Sequence, residues 1–296
     1  MKCIWHSFLI FALTCFSGCN PTPDEIIVCG DDTVIIIDDT ASDSTDVKIN
    51  WGWKVSEASY IPADYQKLMI PTDECKPVDG NSKILITSSG GGVVLVDRET
   101  KKTLFYARVP MAHSAEMLPG NRIVVVLSTA DGGNSIELYN AGEPERVLFS
   151  DSLYSGHGVV WMEKMQRLLA LGFDELRSYS LHDWKSDKPE LELEKTWKLP
   201  DESGHDLSLV SDNTLLITTH HNVWLFDAEK ENFSPFSMLE GTENVKSVNF
   251  DESTGRLLFT KAEISWWTHN LYFKNPDKTI TLPDMNIYKA RFIRNK

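Results

Sequence analysis

The sequence predicts an all-β fold: a six-bladed β-propeller closed by its C-terminal strand joining the N-terminal strands. Three observations carry this expectation: a repeat of short segments along most of the 296 residues, aliphatic runs of strand length, and ragged ends that complete each other. Composition agrees with a chain that buries a core, at 42% hydrophobic, 24% charged and 10% aromatic residues. Disordered, collagenous and coiled-coil chains lie well outside those values. The balance of 29 basic against 43 acidic residues gives a formal charge of −14, which argues against nucleic acid or an anionic lipid surface as a general partner.

Residues 1–19 read as a secretory signal. Lys2 precedes an apolar run from Phe8 to Phe16, and the small residues Ser17 and Gly18 lead to Cys19. This resembles the bacterial lipoprotein signal, with Phe16 where leucine is usual, and the resemblance implies a lipid on Cys19. About nine apolar residues are too few to cross a hydrocarbon core that needs roughly twenty, so a transmembrane helix is the weaker reading. Residues 20–25, with two prolines, form a tether, and residues 26–296 form one propeller domain. The expected location is the cell envelope, as an outer-membrane lipoprotein that touches the membrane through its lipid alone. Of the five cysteines, Cys3 and Cys15 leave with the signal. Cys29 and Cys75 remain, and they either form one bridge or pack as two small buried side chains.

Ile26–Cys29, Thr33–Ile37 and Val47–Trp53 are three strands that lack an inner partner. The stretch from Val55 to Asp73 is long for a connection; with Tyr60, Tyr65 and Lys67 it reads as a partial lid or as an inert packed loop. Six repeat starts follow at Glu74, His113, His157, His205, Lys246 and Tyr288, separated by 39, 44, 48, 41 and 42 residues. Each start leads through three positions to a large apolar residue, a polar turn and an aliphatic run, as in His157-Gly-Val-Val-Trp161 before Arg167-Leu168-Leu169. Third strands follow at Val93–Val96, Ser135–Tyr139, Val223–Phe226 and Asn270–Phe273. Four short strands per repeat make one blade. The last copy stops after Phe292 with one strand made, and the three N-terminal strands complete it. Ring closure removes the exposed edges of an open array. Ser88–Gly92, Ser-Ser-Gly-Gly-Gly, is a tight turn whose missing side chains leave room for a ligand.

The architecture resembles the six-bladed propeller lipoproteins of Bacteroidetes type, most without assigned activity, over roughly residues 25 to 296. It is more remotely similar to propeller enzymes such as oligogalacturonate lyase, in which histidines at the channel mouth hold a metal. The motifs of that enzyme are not matched residue by residue, so its site does not carry over. The repeats also depart from the WD pattern, since third strands end in Val96-Asp97, Phe226-Asp227 and other pairs.

Inner strands of a propeller begin at the face that holds the turns between second and third strands. Of eight histidines, His113, His157, His205, His220, His221 and His269 fall on that face, and His182 on the other. Imidazole at one structural position in three consecutive blades suggests a ligand set for one divalent transition metal: His113, His157 and His205. His157, His205, Lys246 and Tyr288 are the candidate proton carriers. Glu74, His220, His221, Lys261, Trp267, His269 and Arg291 are the candidate substrate contacts, with Trp266 and Trp267 offering indole faces to a sugar. The competing reading makes the histidines structural, as Gly156-His157 and Gly204-His205 suggest. Two functions follow. One is an enzyme, a lyase or hydrolase acting on acidic oligosaccharides; the other is a non-catalytic glycan-binding propeller or a scaffold for an envelope protein.

Overall fold

The second strand of each blade, counted from the channel, is packed by a blade on either side, so both its faces are apolar and it reads as a continuous aliphatic run. Ile26-Ile27-Val28, Ile84-Leu85-Ile86 and Ile123-Val124-Val125-Val126 are buried at every position. Outer strands have water on one side and alternate. The computed structural model describes residues 24–44 and 46–294, so the signal, Cys19 and most of the tether lie outside the described residues.

Blade 1 begins with β1 (Glu25–Gly30), β2 (Thr33–Asp38) and β3 (Ile49–Lys54). Blade 2 is β4 (Thr72–Val78), β5 (Lys83–Ser88), β6 (Gly92–Asp97) and β7 (Thr103–Arg108). Blade 3 is β8 (Ala112–Leu118), β9 (Arg122–Leu127), β10 (Ser135–Asn140) and β11 (Val147–Ser152). Blade 4 is β12 (Gly158–Met162), β13 (Arg167–Leu171), β14 (Glu175–His182) and β15 (Glu190–Lys198). Blade 5 is β16 (Asp206–Leu209), β17 (Thr214–Thr218), β18 (Val223–Asp227) and β19 (Asn232–Pro235). Blade 6 is β20 (Val245–Asp251), β21 (Arg256–Lys261), β22 (Asn270–Lys274) and β23 (Lys278–Thr281). The last strand, β24 (Ile287–Ile293), returns to blade 1 and gives the order β24-β1-β2-β3.

All six sheets are antiparallel meanders, as expected, and β24 pairs with β1 from Glu25↔Ile293 to Val28↔Ala290. The core is divided into six clusters. One joins blades 1 and 2 through Ile27, Ile36, Ile84 and Val94, and another closes the ring between blades 6 and 1 through Leu258, Leu271, Val28 and Ile287. No helix among the described residues is long and apolar enough to cross a membrane.

The segment between β3 and β4 is packed between blades 1 and 2. Its Val55, Ala58, Ile61 and Met69 are buried in the cluster those blades share, Tyr65 meets Tyr106 edge-on at 5.0 Å, and Ser59 bridges to Lys102. It also contains the one-turn helix α1 (Ala63–Gln66). The lid reading therefore gives way to the packed loop. The glycines of the Ser88–Gly92 turn leave no room for a ligand either. A Cβ on Gly92 would lie 2.6 Å from Met69 Sδ, and one on Gly90 would lie 2.3 Å from the Ile70 carbonyl oxygen. Their missing side chains admit this loop. Cys29 and Cys75 are free thiols, both fully buried in the same cluster.

Candidate functional site

A β-bulge adds one unpaired residue to a strand and turns its side chain out of the regular alternation. Four inner strands carry one at the mouth end of the channel. The pairing skips Asp73 in β4, His113 in β8, Lys246 in β20 and Tyr288 in β24. His157 and His205 stand one residue ahead of β12 and β16. These six residues are the equivalent positions of the ring. The blade 2 start is therefore Asp73 and not Glu74, because Pro77 pairs with Ile84 as Met117 pairs with Ile123.

The ring is packed. His113 and His157 meet edge-on with centroids 4.4 Å apart, His157 and His205 at 5.6 Å, and His113 and Tyr288 at 6.2 Å. Trp267 stands edge-on to Tyr288 at 5.4 Å, and Lys246 Nζ lies 4.9 Å from the centre of the Trp266 ring. Trp266 is 58% exposed and Lys246 1%, so the indole covers the ammonium group.

Hydrogen bonds set the imidazole tautomers. His113 Nδ1 lies 3.3 Å from the Met111 carbonyl oxygen and His157 Nδ1 2.8 Å from that of Ser155. Carbonyls only accept, so each Nδ1 carries the proton and each Nε2 keeps its lone pair. His205 differs. Its Nε2 accepts from Lys246 Nζ at 2.9 Å, and its buried Nδ1 has no partner. Burial holds all three imidazoles neutral, lowering His157 to about 4 and His205 to about 2, with Lys246 and Lys289 adding to the effect. Burial, and then the charge of Lys289, brings Lys246 down to about 8. Burial also raises Asp73 to about 7 although the Ser89 amide donates to it. Tyr288 is pushed well above the usual phenol range by burial and by the charges of Asp73, Asp206 and Glu74. Such a phenol keeps its proton at neutral pH.

One residue further along the inner strands stand Glu74, Ser114, Gly158, Asp206, Ser247 and Lys289. Together with Arg291 they fill the channel. Arg291 Nε donates to Glu74 Oε1 at 3.1 Å, and its Nη2 donates to Glu74 Oε2 at 3.0 Å. Its Nη1 donates to Asp206 Oδ2 at 2.6 Å, and Nη2 also reaches Asp206 Oδ1. Lys289 Nζ lies 3.2 Å from Glu74 and 3.1 Å from Asp206, and the Ser114 hydroxyl donates to Glu74 at 3.2 Å. Two cations thus meet two carboxylates, all buried. The charges of Arg291 and Lys289 hold the Glu74 and Asp206 carboxyls below their ordinary range. Glu74 and Arg291, candidate substrate contacts in the sequence, are here tied to each other. Asp73, Asp206 and Lys289 escaped the sequence reading; the Asp-Glu pair at 73–74 and the His-Asp pair at 205–206 were its only trace.

Residues 22–296 match a family of unknown function (DUF6528). The chain belongs to this family. No curated protein matches it. The six-bladed propeller supports a general binding or scaffold role, which the fold shares with many propellers.

The remaining sequence candidates lie around the mouth rather than in it. His220 and His221 are exposed with ring centroids 4.6 Å apart, and His221 Nδ1 lies 3.3 Å from Glu243. His269 Nδ1 donates to the Met285 carbonyl at 2.8 Å, a tie across the blade 6 to blade 1 boundary. Lys261 lies 3.9 Å from Glu263 and 5.0 Å from the centre of the Tyr272 ring. Among the described residues no group of three His, Cys, Asp or Glu side chains is spaced to hold a metal ion. The lone pair of His205 Nε2 is taken by an ammonium donor, so the third imidazole of the expected ligand set is already engaged.

Proposed function

We propose that the protein is a ligand-binding propeller that takes a carboxylate-bearing saccharide at the ring of His113, His157, His205, Lys246 and Tyr288. The observation that carries the reading is Lys246. Its ammonium group is buried, hydrogen-bonds a neutral imidazole and has no carboxylate ion pair among the described residues. A buried cation without a counter-ion is costly, and an incoming carboxylate would supply the missing charge. The exposed Trp266 indole over it offers a stacking face for the sugar ring, and the free Nε2 atoms of His113 and His157 can accept from sugar hydroxyls.

Binding is favoured over hydrolysis by the carboxylates. Glycoside cleavage commonly uses two of them flanking the bond. Glu74 and Asp206 are committed to Arg291 and Lys289, which leaves Asp73 as the one ring carboxyl. With the lipid expected on Cys19, the protein would act as an envelope-anchored binder.

The test is isothermal titration of the purified protein with uronic-acid oligosaccharides and with their neutral parent sugars. The acidic series should bind, the neutral series should bind at least about tenfold more weakly at this site, and Lys246→Met should remove the difference, a loss of about 1.4 kcal/mol or more. Equal affinity for both series, or acidic binding unchanged in Lys246→Met, would sink the reading.

A further inference from the structure

The channel's other end is open where the mouth is packed. There the inner strands finish, and the turns after β4, β8, β12 and β16 enclose a basin of about 750 Å³ with Trp161, Glu116 and Asp212 in its wall. A recess of about 230 Å³ continues inward, sharing Glu116 and Trp161 with the basin and lined also by Ser208 and Lys76. None of these residues belongs to the ring of histidines.

We propose that this basin is a second saccharide site, selective for a neutral sugar. The charges point to the ligand's neutrality. Glu116 lies 3.4 Å from Lys76, Asp79 lies 2.7 Å from Lys83, and Asp212 is paired with Lys164. Glu163 accepts from the Trp161 indole at 2.5 Å. Arg294 at the rim is exposed and donates to the Val210 and Phe250 carbonyls, so water covers what the protein does not. The carboxylates Glu116, Asp79, Asp212 and Glu163 are matched in number by Lys76, Lys83, Lys164 and Arg294, so the basin offers a charged ligand no excess of either sign. A polyhydroxylated neutral ligand gains from them as they stand, because a paired carboxylate still has lone pairs for hydroxyl donors.

Two further features point to a sugar rather than to an apolar ligand. Ser208 is 5% exposed and its hydroxyl is buried without any hydrogen-bond partner. Leaving such a group unpaired is unfavourable, and a ligand hydroxyl in the recess would supply the missing partner. Trp161 is half-buried, and its indole is fixed at one end by the bond to Glu163, so it presents a pre-oriented wall to a pyranose ring. The volume lies within the range of small-molecule sites.

The experiment is titration of the full-length purified protein with glucose, galactose, mannose, N-acetylglucosamine, cellobiose, maltose and lactose, read by calorimetry and by saturation-transfer NMR. At least one should bind at millimolar concentration or below. Trp161→Leu and Ser208→Ala should each weaken that binding about tenfold, while Lys246→Met should leave it unchanged. Ser208→Ala only removes an unpaired oxygen, so the test stands even if Trp161→Leu fails to fold. Binding of none of the seven sugars overturns the proposal, as does binding that survives Ser208→Ala or is lost with Lys246→Met. Failure of the mouth reading shows instead in the acidic series, so the two are separable.

Discussion

Replacing Arg291 by methionine tests whether the residues deepest in the channel hold the fold rather than a ligand. The guanidinium is shared by Glu74 and Asp206 through four hydrogen bonds, and only Lys289 would remain to face both carboxylates. Removing one member of a buried ion network leaves uncompensated charge and costs about 3–5 kcal/mol. For a domain of this size each kcal/mol moves Tm by about 2–4 °C, so the variant should melt roughly 10 °C below the parent. Urea unfolding near neutral pH measures the loss. The pH dependence carries the same sign. Both carboxyls are held below their unfolded values, so their stabilisation is present above about pH 4 and is lost as pH falls further. Adding Asp206→Asn, which keeps an acceptor for the Val248 amide, leaves Lys289 facing Glu74 alone and should recover about half of the loss. A single variant within about 1 kcal/mol of the parent, or a double variant no more stable than the single, would refute the reasoning.

Gly90→Ala should destabilise the protein by about 1–3 kcal/mol, because its Cβ would meet the carbonyl oxygens of Ile70 and Leu68 at 2.3 and 2.9 Å; an unchanged melting curve would restore the lid reading of that loop. The buried histidines have folded pKa values below the free value of 6.5, so stability from this source is full above about pH 6.5 and declines as pH falls, to about 4 for His157 and on toward about 2 for His205. NMR checks this directly: the His157 ring resonances should not titrate between about pH 8 and 5. Cys19→Ser should release the protein from the membrane fraction, since the expected attachment is a lipid; its retention there would point to an uncleaved helix or a membrane partner.

The propeller was legible in the sequence because its signals are local. Each blade's second strand is an aliphatic run that follows a polar turn, six such runs recur at a blade's spacing, and one incomplete repeat at the C-terminus answers three unpartnered strands at the N-terminus. The location of the mouth, with imidazoles from three consecutive blades, followed from the same register. What the sequence could not decide was each side chain's neighbours across the channel. A bulge at Asp73 shifts blade 2 by one residue, and one residue in a strand separates a group at the mouth from one inside the channel. Glu74 and Arg291 lie 217 positions apart; Lys289 shares β24 with Arg291, and Asp206 enters from blade 5. Only ring closure brings these four charges together, so only the tertiary structure could show that they neutralise one another and that Lys246 is left without a carboxylate.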